Sequence, residues 1–373
     1  MRLSPVLAAE STYPFVRIEQ AKRETAEAGV EIIDFGQGDP REHTDALIRR
    51  ALVEALQERI GYPKAEGLPE LREAIAVWLS RRFGVELDPE REVAVVPGTK
   101  TAIVEVALCL AERGETILLP DPGYPDYTSG VALAGAREGR VRLDPDAAFA
   151  PDLDRAPRED VAALYLNYPS NPCSASAPPG VFAEVVRWAE ETGAAVLHDF
   201  AYADLTFDGV RPASFLAEPG AKEVGAELFS MSKSYGMAGW RLGFVVGNAE
   251  LVERVNLLQD HVRAGVFRPI QVAGVAALTG PQDSVEERRA IYERRRDQVA
   301  AANPGTCSDS TFYAWWRLPE GLTPDRILAE SRVAVAPGEG FGPSGAGWAR
   351  ISLATPDDRL TAGLERLSRL TVP

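Results

Sequence analysis

Ala194-Ala195-Val196-Leu197-His198-Asp199-Phe200-Ala201-Tyr202 is an apolar run that ends in polar groups. Such a run reads as a buried strand that delivers an aspartate and a tyrosine at its C-terminal end. Val161-Ala162-Ala163-Leu164-Tyr165-Leu166-Asn167-Tyr168-Pro169 has the same character and hands over to Ser170-Asn171-Pro172. Thr116-Ile117-Leu118-Leu119 leads to Asp121-Pro122-Gly123-Tyr124-Pro125, and Glu92-Val93-Ala94-Val95-Val96 leads to Pro97-Gly98-Thr99-Lys100. Helical patterns follow over 101–112, 45–57 and 180–192. Strands alternating with helices predict a mostly parallel sheet covered by helices. With 373 residues, 45% of them hydrophobic, the chain suits one large α/β unit and a smaller one.

Ser230-Met231-Ser232-Lys233, with Arg241 eight residues beyond Lys233, reads as a lysine held beside an anion site. A lysine forms an imine with an aldehyde only through its neutral amine, while two serines and an arginine supply what a phosphate dianion needs. Taken singly, a lysine is usually a solvated charge and an Asn-Pro pair is usually a turn. The surrounding residues give this set its meaning. Asp199 could pair with a pyridinium nitrogen and keep the ring electron-withdrawing. Tyr202 and Asn171 could donate to the ring's phenolic oxygen, and Tyr124 offers an aromatic face to a planar ring. The Gly98 turn opening a helix presents free N–H groups and a positive dipole end to a phosphate.

In this order the residues resemble a class I/II aminotransferase of the fold-type I pyridoxal-phosphate enzymes, over residues 13–369. The resemblance implies a three-layer α/β/α large domain with a mostly parallel sheet, at 42–266, and a smaller α+β domain from 1–41 and 267–373. It makes Lys233 the Schiff-base lysine, Asp199 the ring-nitrogen partner, and Asn171 and Tyr202 the ligands of the ring oxygen. Tyr124 stacks on the ring of pyridoxal 5'-phosphate. Gly98, Thr99, Lys100 through its backbone, Ser230, Ser232 and Arg241 match the phosphate positions. Tyr62, in Gly61-Tyr62-Pro63-Lys64, matches a tyrosine that reaches the phosphate of a neighbouring subunit, which implies a homodimer with shared active sites. Arg350 matches the clamp on the substrate α-carboxylate, a role suited to its planar fork, and Gly38 matches the loop glycine beside it. Asn171 is expected to touch substrate as well. Asn171-Pro172-Cys173-Ser174 departs from the family's usual Asn-Pro-Thr-Gly, which puts the path of residues 171–175 in question.

The implied reaction is ping-pong transamination between an amino acid and a 2-oxo acid, with Lys233 as general base and acid. Tyr13-Pro14-Phe15-Val16-Arg17, the 198–204 segment, Gly265 to Gln271 and Val335 to Gly342 resemble the branch of N-succinyldiaminopimelate, LL-diaminopimelate and alanine aminotransferases. N-succinyldiaminopimelate of lysine biosynthesis, with glutamate as donor, is the expected pairing. LL-diaminopimelate, alanine or aspartate aminotransferase and a β-lyase on the same scaffold are the alternatives. Arg17, Arg263 and Arg268 are candidates for a distal carboxylate, against ordinary salt bridging.

A net charge of −15 argues against nucleic acid as a partner. The three cysteines and three histidines show no disulfide or zinc spacing. No basic DNA-binding domain is expected before Tyr13. The dinucleotide fingerprint begun by Gly36-Gln37-Gly38 fails at Arg41. Residues 1–10 carry no secretory pattern, and no apolar run spans a membrane, so a cytoplasmic enzyme is expected.

Overall fold

The computed structural model describes residues 16–27, 29–57 and 59–370, apart from the side chains of residues 16, 17, 25 and 26. The Tyr13-Pro14-Phe15 motif and the Arg17 side chain therefore lie outside the described residues.

An eight-stranded sheet organises the chain, in the order β2-β9-β8-β7-β6-β3-β4-β5. The strands are β2 (Val93–Val96), β3 (Thr116–Asp121), β4 (Arg137–Asp144), β5 (Ala150–Pro151), β6 (Val161–Leu166), β7 (Ala195–Asp199), β8 (Gly225–Ser230) and β9 (Gly243–Gly247). β4, β3, β6, β7 and β8 run parallel, and β9 lies antiparallel between β8 and β2. The expected strands are present, and the expected helices appear as Ala46–Glu54, Thr99–Leu110 and Val181–Thr192.

Alternation along the strands buries both faces, as a sheet sandwiched between helices requires. Leu118, Leu164 and Val196 join one apolar cluster, whereas their neighbours Ile117, Leu119, Ala163 and Leu197 join another on the opposite face. The chain order reverses at β3, whose two neighbours are β4 and β6. In open α/β sheets ligands bind outside the carboxyl ends of strands at such a point. Asp121, Asn167, Asp199 and Ser230 all end or follow strands at this edge.

A second sheet has the order β10-β11-β14-β13, formed by Thr306–Cys307, Tyr313–Arg317, Trp348–Ser352 and Ala336–Pro337 respectively. Its Ala349 and Ile351 pack with Tyr292, Leu360 and Leu364 in a separate core. β1 (Ile33–Asp34) pairs in parallel with β12 (Val333–Ala334), so an N-terminal segment is tied to the C-terminal third. Ser352 N–H donates to the Phe35 carbonyl at 2.7 Å and extends that tie to β14. Helix Arg268–Thr279 places Ala273, Ala277 and Leu278 in the same core as Leu71 and Ile75 of helix Pro69–Phe83. No helix among the described residues is long and apolar enough to cross a membrane.

The 171–175 loop closes on itself through Ser170 N–H to Ala175 O and Ser174 N–H to Ser170 O, each 2.9 Å. Ser174 sits at φ 56°, in the left-handed region where an L residue is strained by about 1–2 kcal/mol. Its carbonyl accepts from both Ser310 N–H and Ser310 Oγ at 3.0 Å, which holds the turn in place. Ser174→Gly should relieve that strain and leave stability unchanged or raised by about 1 kcal/mol. Ser174→Val, β-branched at this φ, should cost about 2 kcal/mol or more. Denaturant unfolding of both variants tests the pair, and equal midpoints would refute the strain argument.

Candidate active site

A cavity of about 250 Å³ opens at the carboxyl edge of the large sheet. Gly38, Thr99, Lys100, Tyr124, Asn171, Asp199, Tyr202, Lys233 and Arg350 all line it, together with Asn167, Tyr313 and Phe341. Of the expected residues, Gly98, Ser230, Ser232, Arg241 and Tyr62 are not on its wall.

Gly98 and Arg241 nevertheless flank the opening turn of helix Thr99–Leu110. Gly98 has φ 85°, and its helix has no side-chain cap, so its first N–H groups are free for an anion. A Cβ on Gly98 would stand 2.3 Å from an Arg241 guanidinium nitrogen. Only glycine lets the arginine lie against this turn. Arg241 itself donates to the Ala238 carbonyl at 3.0 Å. Ser230 Oγ accepts the Ser232 N–H at 3.2 Å, which leaves its hydroxyl proton to be donated elsewhere. The Lys100 amine is taken by Asp126 at 2.7 Å, so only the Lys100 backbone is available to an anion.

Asp199 is buried, and burial pushes its carboxyl above the usual range. The Tyr127 hydroxyl, donating at 2.9 Å, and the Ala201 N–H, at 3.2 Å, oppose that rise. A cation within hydrogen-bond reach would hold the carboxylate ionised. Asn167 braces the same strand end by donating to the Asp199 carbonyl at 2.7 Å. Tyr124 and Tyr127 meet edge to face, at 5.5 Å between ring centres, and the Tyr124 hydroxyl donates to Asp126.

Lys233 lies 3.5 Å from the Gly38 carbonyl and 5.0 Å from the centre of the Phe312 ring. Burial lowers its amine below the ordinary lysine value. Tyr313 and Asp39 oppose that shift, and the nearby Arg350 and Arg241 add to it. The lysine is thereby inclined toward its neutral, nucleophilic form.

Arg350 sits on β14 opposite Trp315 and Ala336. Its guanidinium donates to Asn171 Oδ1 at 2.7 Å and to the Gly36 carbonyl at 3.0 Å. The Tyr313 ring centre lies 3.9 Å from its Cζ, and the Phe341 ring centre 4.7 Å. Nε is buried with no partner among the described residues, so the cation retains capacity for a carboxylate. With Asn171 Oδ1 occupied by Arg350, the Asn171 amide nitrogen is the group left to donate. A Cβ on Gly38 would come within 2.0 Å of the Tyr313 hydroxyl, which explains a glycine there.

Tyr62 is 99% exposed and lines a separate cleft of about 570 Å³ that also includes Arg268 and Gln271. Arg263 is paired with Glu105. Neither Arg263 nor Arg268 lines the cavity.

Two tyrosines in the site were not singled out in the sequence. Tyr127 is the first residue of the helix Tyr127–Ala134, three residues after Tyr124 in the preceding loop, and no chemical motif in the sequence marks it. Tyr313 meets Tyr202 edge to face, at 6.0 Å between ring centres, and is stacked on Arg350, and nothing local in Thr311-Phe312-Tyr313 announces it.

The buried amine, the buried carboxylate and the anion-ready helix end fit pyridoxal phosphate, and define a fold-type I pyridoxal-phosphate enzyme. Comparison with known proteins agrees: residues 30–367 match the family described as aminotransferase class I and II. The chain belongs to that family and is a pyridoxal 5'-phosphate-dependent aminotransferase. It is similar to the L-glutamine–4-(methylsulfanyl)-2-oxobutanoate aminotransferase of Bacillus subtilis, at 42% identity over 95% of this chain and 92% of that one. An LL-diaminopimelate aminotransferase of Desulforudis audaxviator is also 42% identical, over 95% and 94%. Among solved structures, a probable N-succinyldiaminopimelate aminotransferase of Thermus thermophilus superimposes with a TM-score of 0.89 at 34% identity, covering 95% of this chain and 99% of that one.

Tyr127→Phe removes a hydrogen bond to Asp199 worth about 1.5 kcal/mol when the acceptor is charged. Cofactor affinity, followed by absorbance titration, should fall about tenfold. A variant that binds the cofactor as tightly as wild type would exclude Tyr127 from this role.

Proposed function

We propose that this aminotransferase moves an amino group from glutamate to an extended 2-oxo acid, with N-succinyldiaminopimelate as the amino acid product. The observation that carries the site assignment is the convergence of Lys233, Asp199 and Arg350 on one cavity. When bound, pyridoxal phosphate supplies an electron-withdrawing ring that stabilises a carbanion at the substrate α-carbon. Gly98, Thr99 and Lys100 backbone N–H groups, with Ser230, Ser232 and Arg241, would hold its phosphate. Asp199 would hold the protonated ring nitrogen, Tyr124 would face the ring, and Tyr202 and Asn171 would donate to its oxygen. Arg350 grips the substrate carboxylate with its fork. Lys233 accepts the α-proton as a neutral amine and returns it as an ammonium. The aromatic walls of Tyr124, Tyr313 and Phe341 restrict water around that transfer.

The choice of N-succinyldiaminopimelate is supported by motif resemblance and by the Thermus thermophilus structure. LL-diaminopimelate is the alternative that the Desulforudis audaxviator relative supports. A second reading, a thioether 2-oxo acid such as 4-(methylsulfanyl)-2-oxobutanoate, is favoured by a specific feature. Arg350 is the one arginine among the described lining residues, and Tyr124, Tyr202, Tyr313 and Phe341 give part of the wall an aromatic surface.

The same proposal includes a cytoplasmic homodimer and a division into 42–266 and 1–41 with 267–373, helix Arg268–Thr279 packing on the larger unit. The exposed Tyr62 would reach the partner's phosphate site, and Leu257, Val262 and Phe267 are exposed apolar residues as well.

Mixing the holoenzyme with glutamate alone should exchange the visible cofactor band for a near-ultraviolet one, and screening 4-(methylsulfanyl)-2-oxobutanoate and the 2-oxo acids that correspond to the two diaminopimelate products should then identify the acceptor. Lys233→Ala should abolish this exchange. Arg350→Ala should raise KM for carboxylate substrates about a hundredfold, as expected for about 3 kcal/mol of charge-assisted bonding. Unchanged KM would remove Arg350 from the site. Because the neutral amine is the active form, the rate should rise with pH as Lys233 loses its proton. Its depressed value places that rise below the ordinary lysine range. For the dimer, mixing inactive Lys233→Ala with Tyr62→Phe subunits should yield hybrids with one intact site; failure of hybrids to exceed the Tyr62→Phe parent would reject shared sites.

A further inference from the structure

His198 precedes Asp199 on β7, so alternation turns it to the face of the sheet opposite Asp199. It is fully buried, and so is Glu227, its register neighbour on β8. His198 Nδ1 lies 2.8 Å from Glu227 Oε1. The same oxygen accepts the Phe215 N–H at 2.5 Å, and Oε2 accepts the Ser214 hydroxyl at 2.7 Å. Ser214 Oγ already accepts the Leu216 N–H, which directs its proton toward Glu227. Both carboxylate oxygens are thus used as acceptors, and the proton between ring and carboxylate belongs on Nδ1.

The other ring nitrogen, Nε2, lies 2.8 Å from the Tyr168 carbonyl and 3.2 Å from the Tyr168 amide nitrogen. A carbonyl oxygen only accepts, so the shorter contact calls for a proton on Nε2, whereas the longer one, a Tyr168 N–H directed at Nε2, calls for a bare nitrogen. A neutral ring would accept the longer contact and leave two lone pairs facing each other at 2.8 Å, and an imidazolium satisfies the shorter contact and gives up the longer. The remaining neighbours are rings: Phe182 at 5.0 Å, Phe200 at 5.1 Å and Phe215 at 6.4 Å between centres. The Tyr168 hydroxyl is directed to the Phe149 carbonyl.

We infer that His198 is held as an imidazolium paired with Glu227, and that this buried cation is a positioning residue for Asp199. Its charge favours the ionised form of the adjacent carboxylate and opposes the effect of burial. The same ring grips Tyr168, where the chain turns toward Asn171. A buried ion pair contributes little net stability, so its value here lies in the charge state it imposes.

The inference rests on the proposed role of Asp199, and its first test does not. His43 and His261 are exposed, so His43→Asn with His261→Asn leaves His198 as the single histidine. Nitrogen-15 NMR of this holoenzyme, labelled at histidine, should show protons on both ring nitrogens at neutral pH. A bare ring nitrogen under those conditions overturns the imidazolium.

The second test is Glu227→Gln, which keeps the shape and removes the counter-charge. The pH dependence of the bound cofactor's absorbance should shift by about one unit, with cofactor affinity falling about tenfold. His198→Gln should give the same change if Glu227→Gln does not fold. A doubly protonated ring with an unshifted absorbance profile would overturn the link to Asp199 while leaving the aminotransferase reading intact.

Discussion

Parallel pairing is the constraint on which the rest of this molecule depends. β3, β6, β7 and β8 each pair with a strand on both sides, and their side chains are spent largely on two apolar cores. Chemistry can begin only where the strands stop. Because they run in one direction, they stop along one edge, and residues 32 or more positions apart in sequence become neighbours there. Asn167 and Asp199, joined by a 2.7 Å bond, show that consequence directly.

The second sheet matters because the large sheet alone supplies no arginine among the described lining residues. Arg350 reaches the cavity from β14 and bonds to Asn171 of the first sheet's loop and to the carbonyl of Gly36. One guanidinium therefore joins three distant stretches of chain. Its planar fork permits this while the orphaned Nε keeps a donor in reserve. The pairing of β1 with β12 holds the Gly36 segment where Arg350 can meet it.

Charge in the site follows from the same architecture. Burial alone would neutralise both Lys233 and Asp199, lowering the one and raising the other. For the lysine that direction serves the chemistry, since a neutral amine is the base. For the aspartate it does not, and Tyr127, Ala201 and His198 act against it. The two groups need opposite treatment, and the sheet provides it by giving the carboxylate donors that the amine lacks.

Much of this was legible in the chain. Apolar runs of strand length ending in Asn, Asp or Gly announce both the sheet and its working edge, because burial on two faces demands continuous apolar side chains. Lys233, the Gly98 turn and Asp199 were readable as an ordered set, since each depends on local chemistry at a strand end. Other features depend on contacts that no local pattern encodes. Tyr313 enters the site because β11 is registered against β14. Ser174 tolerates a left-handed turn because Ser310 holds its carbonyl. Arg263 looked available for a substrate until the fold placed Glu105 against it. Sequence by itself determined the element types and the reactive groups, through periodicity and residue chemistry. Only the tertiary structure decided which of those groups share a cavity, because that depends on strand register and on pairings across more than a hundred residues.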